Sequence, residues 1–494
     1  MRLNFNPNNN NMLFLVLSIV LPVGITLAVS NLDSDLSLYG LAGLIGIALA
    51  LIIFVNPGFG ANILIVAVFS NISDELTNYG YPGIIKPLVL VVAITIASRY
   101  LYFEKSTIEH SKTKRIESFL ILFFVIYTAS FFMASYKDQA LAAILDLGKD
   151  IIVIYCLLFT LRTPETWKRS IWVVILVTFG LSLLGLYQSV SGNYNQNFFG
   201  FAMVTVEDYA ARLGGPINAP NMWGQTVVAV IALVIFRIIH ERRTFIKIFA
   251  VLILGVLLLE TLNTYSRGAY LALAIVVLLI FFVFEDKFSP MIAIAGVGLI
   301  LLTIQFLPAS YADRFNSLLI LVPSNKYSVY QDSSFRGRSS ELLTGLSMFK
   351  SSPLLGIGPL NYKPNYQKFS QIIGIEIRAE PRDPHSLYIQ LLAENGLLGF
   401  LAFVGVIVSL FSGLAKAKRS VSHLPILQRT WSPWISSLQA SLIGYLIAAT
   451  ILHGAYIRYF WILAGLGIAA IRITDEILNN NKESSQAIAK PQLE

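Results

Sequence analysis

Asp383-Pro384-His385-Ser386-Leu387-Tyr388-Ile389-Gln390-Leu391-Leu392-Ala393-Glu394-Asn395-Gly396-Leu397-Leu398-Gly399 carries the chain from a polar loop into a long apolar helix, with one histidine at its mouth. Asp is a favoured N-cap and Pro suits the first helical position, so the spacing predicts a helix that opens at Asp383 and holds His385 in its first turn. A helix N-terminus disfavours a cation, which predicts a neutral imidazole able to accept a proton near neutral pH. The competing reading makes His385 a mere cap or a resident of the headgroup layer. Glu394 lies nine residues on and, at about 100° per residue, on the opposite side of a straight helix, so no direct His385–Glu394 pair is expected.

Apolar runs like the one after Leu387 recur along the whole chain. Of its 494 residues, 55% are hydrophobic and only 13% charged. That is too little polar surface for a soluble protein of this length, and the sequence reads as an all-α integral membrane protein. Candidate spans cover residues 12–29, 38–56, 58–71, 84–102, 118–135, 140–160, 169–190, 219–239, 245–262, 268–284, 289–307, 387–415, 431–452 and 456–473. This is a bundle of about 12–14 transmembrane helices, in which 58–71 is short for a hydrocarbon core of ~30 Å. The Asn-rich leader holds only Arg2 as a charge and further spans follow at once, so residues 12–29 read as an uncleaved first helix.

The net charge of +8 is no sign of nucleic-acid binding, because most Lys and Arg fall in short loops between apolar runs, where topology accounts for them. One set of alternate loops holds Arg99, Lys105, Lys112, Lys114 and Arg115, then Arg162, Lys168 and Arg169, then Arg237, Arg242, Arg243 and Lys247, then Lys287, and finally Lys416, Lys418, Arg419 and Arg429. The other short loops hold only Lys86, Lys137, Arg212, Arg267 and Arg458. The positive-inside rule makes the first set cytoplasmic, together with both termini, provided that 58–71 crosses. Cys156 is the one cysteine and sits in an apolar run, so it forms no internal disulfide and holds no thiolate metal site.

The chain divides into N-terminal transmembrane helices (1–190), a transmembrane core with outward arginine loops (191–307), one long outward loop (308–384), C-terminal transmembrane helices (385–478) and a polar tail (479–494). Within the long loop, Leu342, Leu343, Leu346 and Phe349 share one face of a helix over Ser340–Phe349, capped by Ser340. That helix is expected on the membrane surface or against the spans. Ser351-Ser352-Pro353 and Gly356-Ile357-Gly358-Pro359 read as a turn-rich connection.

Outward arginines run against the charge rule and are the candidates for chemistry. Arg212 lies in Arg212-Leu-Gly-Gly-Pro-Ile-Asn218-Ala-Pro-Asn221, where Gly214 and Gly215 allow close backbone approach and Asn218 or Asn221 can cap the next helix. Arg267 follows Ser266, a predicted N-cap, and an arginine at a helix N-terminus at headgroup depth suits a phosphate. Plain structural pairings compete with this, Arg212 with Asp208 and Arg267 with Glu260, as does snorkelling to lipid phosphates. A cluster of outward arginines beside a neutral histidine fits a lipid diphosphate leaving group and a hydroxyl nucleophile. The acidic pairs Glu207/Asp208 and Glu380/Asp383 lack a histidine ligand pattern, so no metal is expected, and there is no Gly-rich phosphate loop.

Together these elements resemble the O-antigen ligase and O-antigen polymerase (Wzy-type) family of bacterial envelope glycosyltransferases. His385-Ser386, nine residues, Gly396, two residues and Gly399 match the family's H-[NSQ]-x9-G-x2-[GTY] signature at the end of the long loop. Arg212-Leu-Gly-Gly to Asn221 resembles its arginine with an Asn-Pro-Asn turn, here with an insertion, and Ser266-Arg267-Gly268-Ala269 resembles its Ser-Arg-Gly element. Phe335-Arg336-Gly-Arg338 and Pro353-Leu-Leu-Gly356-Ile-Gly358-Pro359 resemble its loop helix and Pro-Leu-Leu-Gly-x-Gly turn. The resemblance spans about residues 205–405. It implies a helical bundle of the lipid-dependent glycosyltransferase (GT-C-like) type in the bacterial cytoplasmic (inner) membrane, with the long loop periplasmic and no cofactor.

The implied reaction is metal-independent transfer or polymerisation of an undecaprenyl-diphosphate-linked glycan, with inversion, onto a glycan or lipid A-core acceptor, with protein O-glycosylation a third acceptor choice within the same family. The resemblance makes His385 the base or acceptor-positioning residue. Arg212, Arg267 and Arg338 hold diphosphate or glycan, with Arg336 an alternative to Arg338; Asn221, Asp383, Glu394 and Arg458 form a second tier. The rival function is a polytopic transporter of a small anion such as bicarbonate, which should place charges near the bilayer midplane on broken helices in two related halves. Asp146, Lys149 and Asp150, near a span's first half, come nearest to that, no repeat is visible, and the polar residues concentrate at the outward edge.

Overall fold

Apolar runs fold as helices, and the pairing of their ends fixes which loops share a face of the bundle. A computed structural model describes residues 34–102, 112–207, 210–284, 298, 333–373, 381–450 and 458–489. The expected span 12–29, nearly all of 289–307, loop residues 308–332, Asp208 and Glu380 lie outside the described residues. Helices make up the chain in the order α1 (Ser34–Val55), α2 (Pro57–Phe69), α3 (Ile72–Asn78), α4 (Ile85–Tyr102), α5 (Lys114–Ala129), α6 (Lys137–Thr160) and α7 (Pro164–Ser191). A two-stranded antiparallel hairpin follows, β1 (Met203–Glu207) with β2 (Ala210–Gly215), pairing Thr205 with Arg212. After it come α8 (Pro220–His240), α9 (Thr244–Asn263), α10 (Arg267–Leu279), the loop helices α11 (Ser333–Ser351) and α12 (Tyr362–Ile373), then α13 (Leu387–Val421), α14 (Pro425–Thr430), α15 (Ser432–Ala448) and α16 (Arg458–Ala489). The last helix runs through most of the polar tail.

This is an all-α integral membrane protein, with one small hairpin among the described residues. Among the described residues, five helices are long and apolar enough to cross a membrane: Lys114–Met133, Pro164–Ser191, Pro220–His240, Thr244–Asn263 and Leu387–Val421. α2 and α3, bent by 53°, make a sixth if counted as one broken span. α8 is the central helix. From Trp223 to Phe236 its side chains are buried all round, as expected of a helix that is apolar on every face. α15 packs along it, and Gln225 donates to the Tyr445 carbonyl (3.0 Å) across that seam.

End-to-end contacts sort the loops. At one end Lys112 pairs with Asp475, Trp431 Nε1 donates to Thr474 (2.8 Å), and Arg472 donates to the Leu158 carbonyl (2.9 Å). The Arg237 guanidinium lies 3.2 Å from the Trp434 ring centroid, with Lys168 nearby, so this end collects the lysine- and arginine-rich loops. At the other end Tyr459 donates to the Phe69 carbonyl (3.3 Å), Arg458 pairs with Asp74 (2.9 Å) and Asn71 donates to the Pro216 carbonyl (3.0 Å). α2 packs on α7 at its middle, where Ser170 donates to Asn62 (2.7 Å), and its end meets Tyr459.

The long loop packs differently from the sequence expectation. α11 begins at Ser333, so Ser340 is no cap; it sits mid-helix, its hydroxyl 3.1 Å from Tyr366 Oη. The buried face is Ser340, Glu341, Thr344, Gly345 and Met348, while Leu342 is exposed. The small, polar side allows close approach to α13, while Leu343, Leu346 and Phe349 are half-buried.

Pro353–Pro359 then locks into a break in α13. Ile357 and Gly358 donate to the carbonyls of Ala393 and Glu394 (2.9 and 3.0 Å), and Leu397 and Leu398 donate to those of Pro353 and Leu354 (2.8 and 3.2 Å). The break is at Gly396, with φ 63° and ψ −167°, a region that only glycine occupies readily. Asn361 fastens the same segment to the α5–α6 corner, accepting from the Tyr136 amide (2.8 Å) and donating to its carbonyl (3.2 Å).

Candidate active site

α13 starts at Leu387 with Ser386 as its cap, not at Asp383. Asp383 pairs with Lys363 (2.8 Å), and His385 precedes the helix. The expected helix-terminus setting of the histidine therefore gives way to a carboxylate. Glu341 of α11, 1% exposed, has Oε2 at 2.5 Å from His385 Nδ1 and Oε1 at 3.2 Å from Arg382 Nη1. His385 keeps 24% of its side-chain surface exposed, enough for a reactant to reach it. The Tyr362 hydroxyl donates to the Glu341 carbonyl (2.5 Å). Burial first, and then the negative charges of Glu341 and its neighbours, push this phenol well above its usual range, so it remains a donor.

Glu394 is buried on α13 and braces the loop. Its Oε1 accepts from the Tyr362 amide (3.1 Å) and its Oε2 from Gln390 (3.4 Å).

On the arginine side, the Arg212 side chain is buried behind the hairpin. Its Nε donates to the Thr264 carbonyl (3.0 Å) and its Nη2 to Asn221 Oδ1 (3.0 Å). Asn221 thus accepts from Arg212 and does not cap α8; Ala219 occupies the cap position, with Pro220 in the first turn. The glycines serve as anticipated, since a Cβ on Gly215 would lie 2.4 Å from the Trp223 ring. Ser266 caps α10 through Ala269 N (3.3 Å), placing half-buried Arg267 in the first turn next to the Thr264 turn that Arg212 holds. Glu260, the partner the sequence offered to Arg267, accepts from the Trp223 indole (2.7 Å).

These pieces meet at one end of the bundle. Asn221 is one turn from Gln225, which bonds Tyr445; Ala449, one turn beyond Tyr445, accepts from the Leu387 amide (2.9 Å), two residues from His385. Arg338 stands three residues before Glu341 on α11 and so on the same face, whereas Arg336 is about 140° away. Arg458 lies at this end too, bound to Asp74 and Asn71. Glu341 is the residue the sequence did not single out.

Residues 260–404 match the family described as O-Antigen ligase. No curated protein matches the chain. The matched stretch runs from Glu260 through Arg267, α11 and the Pro353–Pro359 lock to the first turns of α13, and it includes His385 and its partner Glu341. The chain is a multi-pass membrane protein whose residues 260–404 are similar to the O-antigen ligase family, a likeness that supports a role in glycan transfer in general.

Proposed function

We propose that the protein transfers glycan from an undecaprenyl-diphosphate-linked donor to an acceptor hydroxyl at the outer face of the bacterial cytoplasmic membrane. The observation that carries this reading is the seating of His385, half-open and bonded to a buried carboxylate, at the bundle end that also holds Arg212, Arg267 and Arg338. His385 Nε2 takes the acceptor proton as the new glycosidic bond forms, and the bond from the anomeric carbon to the diphosphate oxygen breaks on the opposite side, with inversion. Negative charge then grows on the departing lipid diphosphate. Guanidinium groups, always protonated and forked, offset that charge. By its place on α11, Arg338 serves this role in preference to Arg336. Asn221 holds Arg212, Asp383 holds Lys363, Glu394 braces the loop and Arg458 ties α16 to Asp74, so this second tier supports the site.

The acceptor is another glycan chain or a lipid A core. Purified protein in proteoliposomes with chelator present, given lipid-diphosphate-linked glycan and either acceptor, is expected to form the glycan product and free undecaprenyl diphosphate. Failure with every acceptor, together with bicarbonate uptake, would favour transport.

In this reading the basic end of the bundle is cytoplasmic. With Cys156 replaced by serine, single cysteines at Lys86 or Lys137 are expected to react with an impermeant maleimide in intact spheroplasts. Those at Arg169 or Arg243 should react only after permeabilisation, and the opposite pattern would invert the topology.

A further inference from the structure

We propose that Glu341 is the positioning residue for His385, an inference that rests on His385 being the base. Both carboxylate oxygens are engaged, Oε2 by His385 Nδ1 at 2.5 Å and Oε1 by Arg382 Nη1 at 3.2 Å, in a side chain that is 1% exposed. A carboxylate only accepts, so the proton of the neutral imidazole is on Nδ1 and the lone pair on Nε2. Nε2 is the nitrogen a base needs, and Glu341 selects it. When Nε2 takes the acceptor proton, the ring becomes a cation against a buried carboxylate, and that attraction strengthens as the reaction proceeds. Arg382 fixes the carboxylate plane from the far side, while the Tyr362 hydroxyl on the Glu341 carbonyl holds the turn of α11 that carries it.

The consequence reaches the long loop. Glu341 is on α11, whereas His385 belongs to the segment entering α13, so the base is set in its productive form only while α11 is docked. The lock between Pro353–Pro359 and Gly396 holds it there.

Glu341→Gln keeps the shape and an accepting oxygen but removes the charge. It is expected to lower kcat by about 10- to 100-fold with the donor KM within about twofold, and Glu341→Ala should lower kcat further. Glu341→Asp, which restores a carboxylate one methylene short, should recover part of the loss. Nitrogen-15 NMR of histidine-labelled protein, with His385 assigned by difference against His385→Ala, should report an Nδ1–H tautomer that Glu341→Ala loses. Thermal unfolding of each variant separates these effects from loss of fold.

Wild-type kcat in both Gln and Ala variants would overturn the inference, as would a kcat loss that Asp does not relieve and that leaves the tautomer unchanged. If His385→Ala itself transfers glycan normally, the reading of the base fails. If that variant is inactive and Glu341→Gln is fully active, only the present inference fails.

Discussion

Alanine at position 396 is expected to unseat the long loop. A Cβ on Gly396 would lie 2.3 Å from the Leu354 carbonyl oxygen and 2.4 Å from its carbon, backbone atoms with nowhere to retreat. The residue also sits at φ 63° and ψ −167°, which costs an L-residue about 1–3 kcal/mol before any clash is counted. Relief requires Pro353–Pro359 to leave the break in α13, and four backbone hydrogen bonds at about 1 kcal/mol each leave with it. The total, about 5–7 kcal/mol, is exceptional for a single substitution. Thermal unfolding in detergent and limited proteolysis should show a lowered midpoint and new cleavage near residues 353–361, with transfer activity lost alongside. An unchanged midpoint and an intact loop would mean that the lock contributes little to holding α11 over His385.

The membrane class and the division of loops between two ends were legible because they depend on composition and on Lys and Arg counts, which survive any detail of packing. Ser266 as a cap and the close approach at Gly215 were legible for the same kind of reason, each following from one residue's local preference. The start of α13 was not. Asp383 has the right chemistry for a cap, but Lys363, brought from twenty residues away by α12, takes its carboxylate. The helix opens at Leu387, with Ser386 in the cap position.

The loop helix shows a second way for pattern to mislead. Its leucine face was the natural candidate for burial, yet the face carrying Ser340, Glu341, Thr344 and Gly345 packs inward, because α12 and α13 bring hydrogen-bond partners and need close approach. Glu341 escaped notice with that face. The one signal was its position three residues after Arg338 on a helix of the long loop, which does not point to a histidine 44 residues further on. Gly396 was recognised as part of a spacing, and its physical reason emerges only with Pro353–Pro359 threaded against it. The second half of the signature is a backbone requirement; the first half is chemistry.

In the proposed reaction the chemistry turns on His385. Its side chain is 24% exposed and its bond to Glu341 is one contact among the several that hold α11, so alanine at this position should leave expression and unfolding temperature close to wild type. A positioned general base contributes about 10²- to 10⁴-fold to a rate, and that is the loss expected here, with donor binding retained because the arginines are untouched. The most direct measurement is glycan transfer by wild type and His385→Ala side by side, in proteoliposomes containing undecaprenyl-diphosphate-linked glycan and an acceptor. The account predicts product from the wild type and a loss of at least about 100-fold in a variant that is folded and still binds donor. Equal transfer by both proteins would contradict it.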